Sequence, residues 1–296
     1  MAKREELGES GDKEFEGPGT AVTKPERGSG LGAAAVRTVG ELLITAGLVV
    51  LLFVIYELYV TDVFSAGKQA DASSRLDDQW VKRRQLHPEL IDGKAFARLY
   101  IPSFGADYHF TIQEGTGEAS LAVGPGHYKG TALPGEPGNV GVAGHRVGKG
   151  APFNELDQLS SCNAIVVETQ AAFFLYRVLP YDNEVKGWVA GKGADPKCKG
   201  VSTLHDPNVA DGGPYGETVG RKVVLPSRGD AVSPVPYKPA DILPIAAQAS
   251  LLTLTTCHPQ FSARERLIIH SVLVKQWQKT PGSTYQDVLK EIGANV

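Results

Sequence analysis

The chain has 296 residues, a formal net charge of −3 and three cysteines, which allows one large domain or two small ones and excludes the basic bias of a nucleic-acid binder. No glycine-rich phosphate loop precedes a helical segment, so no nucleotide site is expected. No Cys-x-x-Cys or His-x-x-x-His spacing supports zinc and no compact acidic loop argues for calcium, so neither a metal site nor a cofactor is expected.

Residues 1–37 mix acidic and basic side chains with many glycines and read as a disordered tail, too poor in apolar residues to order themselves. Residues 38–60 follow as a transmembrane helix. Within them, 15 uncharged residues lie between Glu41 and Glu57, and with its flanks the run Val39–Val60 is long enough to cross a hydrocarbon core of about 30 Å. Tyr56 and Tyr59 suit one interface as aromatic anchors. A buried core helix fits less well, because the run is apolar on every face. A cleaved signal peptide also fits less well, because the Ala70-Asp71-Ala72 site lies too far beyond the run. Lys24, Arg27 and Arg37 precede the span and Lys68 and Arg75 follow it, a bias toward a cytoplasmic N-terminus and an extracytoplasmic body in the cell membrane. Residues 61–92 read as a polar extracytoplasmic stalk with helical character.

Residues 93–275 change texture. Apolar, β-branched runs occur at 95–103, 106–112, 139–146, 163–169, 172–182, 221–226, 250–257 and 264–274, separated by Gly, Pro, Asn and Asp. Eight short strands of this kind predict a mainly β fold, a closed antiparallel-rich barrel or a sandwich. Two connections are long, 183–220 and 227–249, and long loops on a rigid scaffold are where recognition usually sits. The tail 276–296 has room for a short helix, and no second apolar span follows.

The chemistry concentrates at "TLTTCHP", residues 253–259. Thr253, Thr255 and Cys257 share one face of an extended strand, and Leu254 and Thr256 the other. Cys257 therefore stands at a strand end, as a packed thiol or as a nucleophile. His145 in "VAGHRVG" also ends a strand beside a glycine, and a Cys with a distant His is a candidate nucleophile and acid–base pair. Arg266 opens the run after Cys257, where a guanidinium can stabilise charge developing on a carbonyl oxygen. Arg264, two residues away, competes for that role. Cys162 and Cys198 are either a disulfide or two free thiols. His127 lies in the turn "GPGHYKG", and His258 adjoins the cysteine.

The ordered set "VGVAGHR", "TLTTC" and "ERLIIHSVLV" resembles the signature of the sortases, with further likeness in residues 126–146, 153–159 and 173–178. The similarity covers residues 95–274 and is closest to class E sortases of actinobacteria. It implies an eight-stranded sortase β-barrel with short helices, anchored by one transmembrane helix. It also implies a cysteine transpeptidase. Cys257 would attack the Thr–Gly carbonyl of an LPxTG- or LAxTG-like sorting signal, His145 would protonate the leaving amine, and Arg266 would hold the oxyanion. Thr256 and His127 would help bind substrate. The implied partners are sorting-signal peptides of secreted proteins and an amine on a peptidoglycan precursor. A hydrolytic cysteine protease on the same fold would carry the same residues. A pilus-assembling sortase fits less well, since "DDQW" (77–80) lacks the proline of a pilin-type lid. A non-enzymatic envelope domain would need no such triad.

Overall fold

The computed structural model describes residues 31–82 and 90–294. Most of the expected tail, residues 1–30, lies outside the described residues, as do residues 83–89 of the expected stalk and the last two of the C-terminal segment. The chain divides into two units, one up to Leu51 and one from Leu52 onward.

Helix α1 spans Leu31–Ile55 and is followed by a π-helical turn, Tyr56–Val60, and by helix α2, Thr61–Lys82. Helix thus begins seven residues inside the segment read as tail (residues 31–37). Alanines at 33–35 favour this, since Ala has the best intrinsic helix propensity. The helical stretch Ala34–Val81 contains a window of mean hydropathy 2.4 with none of it buried, so it is long and apolar enough to cross a membrane.

From Ala95 the chain forms nine strands. These are β1 (Ala95–Tyr100), β2 (His109–Glu114), β3 (Gly126–His127), β4 (Gly138–Ala143), β5 (Ala164–Glu168), β6 (Ala172–Val178), β7 (Arg221–Val224), β8 (Ser250–His258) and β9 (Glu265–Gln278). The order β6-β5-β1-β2-β3-β4-β8-β9 closes through a β6–β9 pairing into a barrel of eight strands. The membership differs from the sequence reading. The two-residue β3 completes the ring, while the run at 221–226 supplies β7, which lies outside it. The long β9 explains this. One of its edges pairs with β8, and the other pairs first with β7 and then with β6.

The interior follows the two-residue period of the strands. On the parallel pair β4–β8, Val140 and Val142 face inward level with Leu252 and Leu254, and Leu267 and Ile269 of β9 join them. Each such side chain contributes about 1.5–3 kcal/mol on burial. The opposite faces of β4 and β8 are covered by the connection 227–249. There Asn139 donates through Nδ2 to the carbonyls of Ala231 and Ser233, at 3.3 and 3.0 Å. Thr253 Oγ1 donates to Asn139 Oδ1 at 2.7 Å and lies 2.7 Å from His270 Nδ1, while the Tyr237 hydroxyl lies 2.9 Å from His270 Nε2. Burial drives the His270 pKa down to about 3, and Lys222 adds to this, so the ring is neutral and fully hydrogen-bonded. Gly141 leaves room for the loop, because a Cβ there would sit 3.0 Å from both Tyr128 and Val232.

The second long connection carries a disulfide between Cys162 and Cys198. It closes a loop of 36 residues and ties the segment holding Trp188 and Val201 against Val272 and Val274 of β9. A loop of that length stabilises by about 3–4 kcal/mol in the chain-entropy account. A last helix, Tyr285–Glu291, starts with a Thr284–Asp287 capping box, buries Val288 and Leu289, and stacks Tyr285 on Tyr100 at 3.9 Å.

Candidate active site

Strand β8 opens outward as it ends. Thr253 is 0 % exposed and Thr255 is 4 % exposed, whereas Cys257, two residues on along the same face, is half-buried. Ala231 and Tyr237 of the loop 227–249 pack on Ile268, the β9 partner of Thr255, and Tyr237 reaches Thr253 through His270. Cys257 is the free cysteine among the described residues. Tyr128 marks the edge of the opening, with its hydroxyl 2.9 Å from Thr255 Oγ1.

Arg266 is the β9 residue paired directly with Cys257. Directly opposed residues of an antiparallel pair project to the same face with Cβ atoms about 4.5–5.5 Å apart. The Arg266 guanidinium donates through Nη1 to the carbonyls of Ala263 and Glu265, each at 3.0 Å, which leaves its other nitrogens available. Arg264 precedes the start of β9 and is exposed. Strand periodicity alone does not separate the two arginines; the register does.

His145 follows β4, whose parallel register with β8 pairs Ala143 with Thr255. The same register continued two residues along both chains aligns His145 with Cys257. Bonds on either side of the histidine hold the two segments together. Gly144 N–H donates to Thr255 O at 3.0 Å, and Thr256 Oγ1 donates to Gly144 O at 2.8 Å. On the other side Arg146, 5 % exposed, donates through Nη1 to His258 Nδ1 at 2.9 Å and to Cys257 O at 3.4 Å, and through Nη2 to Asp157 Oδ2 at 2.7 Å. A guanidinium can only donate, so His258 Nδ1 is the acceptor and its ring is engaged away from the thiol. Sequence reasoning gave Arg146 and Asp157 no role. Their signal was the Arg directly after His145 and the Asp within "FNELDQL".

The Nε2 atom of His145 is buried and has no hydrogen-bond partner among the described residues. Burial holds the His145 pKa below the ordinary histidine value, Lys149 lowers it further, and Glu118 opposes them weakly. A neutral imidazole with an unsatisfied ring nitrogen is suited to take and return a proton.

The two expected substrate-binding residues sit differently. Thr256 points to the barrel side and is buried, its hydroxyl spent on Gly144. His127 is fully buried, with Nδ1 2.7 Å from Glu114 Oε2 and Nε2 within reach of Thr131 Oγ1 and Ala132 O. Neither presents a polar atom to the opening beside Cys257. Among the described residues no group of three or more His, Cys, Asp or Glu is placed to hold a metal ion.

The sortase domain model matches residues 99–274, which include every residue just described. The chain belongs to the sortase family. This sortase is 30% identical to sortase SrtE1 of Streptomyces coelicolor over 263 residues, which is 86% of this chain and 62% of that relative. It therefore spans less than two thirds of the length of SrtE1. It is 34% identical to SrtE2 of the same organism over 208 residues, 63% of this chain and 81% of the relative. Among solved structures, the SrtF sortase from Corynebacterium diphtheriae is 41% identical and superimposes with a TM-score of 0.57, covering 68% of this chain and 94% of the other. The relatives thus carry both E and F designations.

Proposed function

We propose that this sortase is a membrane-anchored cysteine transpeptidase that cuts an LPxTG- or LAxTG-like sorting signal between Thr and Gly and joins the released acyl group to a cell-wall amine. The observation that carries the reading is the pairing of Cys257 with Arg266 on one face, with His145 bracketed beside them by bonds from Gly144 and Arg146.

In this reading neutral His145 takes the Cys257 thiol proton as Sγ attacks the threonine carbonyl. The carbonyl oxygen gains charge and is met by the free N–H groups of Arg266. Collapse breaks the C–N bond, the proton on His145 passes to the departing glycine nitrogen, and a thioester remains on Cys257. An incoming amine attacks that thioester, gives its proton to His145 and forms the new amide. The Cys257 thiolate leaves and recovers the proton. Arg146 and Thr256 act on geometry, by fixing the His145 turn to the Cys257 strand.

Residues 38–60 act as a single-pass membrane anchor, with the barrel on the extracytoplasmic side. The disulfide between Cys162 and Cys198 supports that side, since disulfides persist in oxidising compartments. The test is to incubate the detergent-solubilised full chain with LPxTG and LAxTG peptides and a short amine-bearing peptide, and to identify products by mass. A ligated product with loss of the glycine-side fragment supports the proposal. Recovery of hydrolysed peptide alone would assign the protein to the protease reading, and intact peptide in both reactions would overturn the proposal.

A further inference from the structure

Four consecutive residues just beyond His145 have positive φ: Gly148 at 63°, Lys149 at 54°, Gly150 at 78° and Ala151 at 36°. Glycine tolerates this region, but Lys149 and Ala151 carry a Cβ and sit there at a conformational cost. Such a backbone persists only where its surroundings over-determine it.

Part of those surroundings is helix α2. Asp62 Oδ1 accepts from Gly150 N–H at 2.8 Å, and Thr61 Oγ1 accepts from Lys149 N–H at 3.3 Å. The backbone of the preceding turn packs close as well, since a Cβ on Gly148 would lie 3.1 Å from Glu57 O. The remaining bonds of the segment are internal or go to the barrel, where Lys149 pairs with Glu118 at 3.5 Å. Ala151 N–H donates to Gly148 O, Phe153 N–H donates to His145 O, and the Tyr108 hydroxyl donates to Pro152 O.

The helix is anchored along its length by one face that is polar except for Leu76. Asp62, Ser65, Gln69, Ser73 and Leu76 recur at helical spacing, and Leu76 is fully buried. Because β3 has only two residues, β2 is left without a strand partner on that side at Thr111, and Gln69 fills the gap. Its Oε1 accepts from Thr111 N–H at 2.9 Å and its Nε2 donates to Val123 O at 2.7 Å. Ser65 Oγ donates to Ala122 O at 3.2 Å, and Arg98 pairs with Asp77 at 2.7 Å further along the helix.

We propose that α2 is a working part of the catalytic domain rather than a stalk, and that Thr61 and Asp62 are positioning residues that hold the His145 turn in its strained conformation. The inference rests on the reading of His145 as the acid–base group. It makes placement of that histidine depend on the chain segment that joins the barrel to the anchor.

The test uses the full chain in detergent, a fluorogenic sorting peptide, and separate measurement of kcat and KM alongside the thermal midpoint. Asp62→Ala is expected to lower kcat on the order of tenfold to a hundredfold while KM stays within about twofold, the signature of a misplaced catalytic group. Asp62→Asn keeps an acceptor oxygen and is expected to restore most of that loss. Asp77→Ala removes an ion pair of the same helix far from His145 and is expected to keep wild-type kcat, even where both variants lose thermal stability. Equal kcat in Asp62→Ala and Asp77→Ala would overturn the proposal, as would an Asp62→Asn variant no better than Asp62→Ala. His145→Ala separates the two levels. If it retains turnover, the catalytic reading itself fails; if it is dead while Asp62→Ala matches wild type, only the positioning role fails.

Discussion

Arg266→Ala separates catalysis from stability more cleanly than other substitutions near the thiol. The Arg266 side chain is half-buried and its assigned bonds go to two carbonyls of its own hairpin, Ala263 and Glu265. Ala263 is exposed and Glu265 is half-exposed, so water can replace the lost donor, and the fold should lose no more than about 1 kcal/mol. The reaction should lose far more. A fixed donor facing a developing oxyanion is typically worth about 10²–10³ in kcat, or about 2.7–4 kcal/mol. Arg264→Ala should stay within a few-fold of wild type, because Arg264 is exposed and lies before the strand that sets the Cys257 register. Arg266→Lys should remain poor, since a compact ammonium does not reproduce the planar fork. Single-turnover formation of the acyl enzyme from one fluorogenic peptide, measured beside thermal midpoints, reads both quantities. An Arg264→Ala enzyme crippled while Arg266→Ala stays near wild type would refute the assignment.

Other outcomes follow from the same geometry. Arg146→Met should cost stability of about 1–3 kcal/mol, because it strips the Cys257 carbonyl and His258 of a buried charged donor, and it should also lower kcat; a thermal shift and steady-state kinetics check it. Cys162→Ala should lower the thermal midpoint under oxidising conditions by an amount matching about 3–4 kcal/mol of lost loop closure, while kcat stays close to wild type. Lys149→Gln removes a cause of the depressed His145 pKa, so the acidic limb of kcat/KM against pH should move upward. The sign for stability is the reverse of a salt-bridged histidine. With its folded pKa lowered, His145 costs nothing above pH ~6.5, and folding loses stability as pH falls from there through the folded pKa, so Lys149→Gln should soften acid destabilisation.

Much of the candidate site was legible because its residues lie in strong patterns. The alternation at 250–257 fixes which face carries Cys257, and the apolar run at 267–269 fixes where β9 begins. The family likeness rested on those segments and on the triplet around His145. What was hidden depends on packing. A two-residue strand such as β3 has no periodicity to read, so Gly126 and His127 gave no sign that they complete the barrel. The face of α2 that docks on the barrel is polar except for Leu76, and its Gln69 and Asp62 look like solvated helix positions until their backbone partners are known. His127 and Thr256 are polar residues whose hydrogen bonds are spent inside the fold, and residue type alone does not report burial. Pairing of Cys162 with Cys198 depends on distance in space, which a separation of 36 residues does not encode.

In the proposed reaction Cys257 forms a thioester with the threonine carbonyl of a sorting signal and passes it to an amine. The most direct measurement is intact-mass and peptide-mapping analysis of the full chain mixed briefly with a sorting peptide and quenched in acid. The expected result is an adduct on Cys257 with the mass of the peptide up to its threonine. That adduct should disappear on addition of an amine as the ligated product appears, and should be absent in Cys257→Ala. Ligation by the Cys257→Ala protein, or an acyl adduct on any other residue, would contradict it.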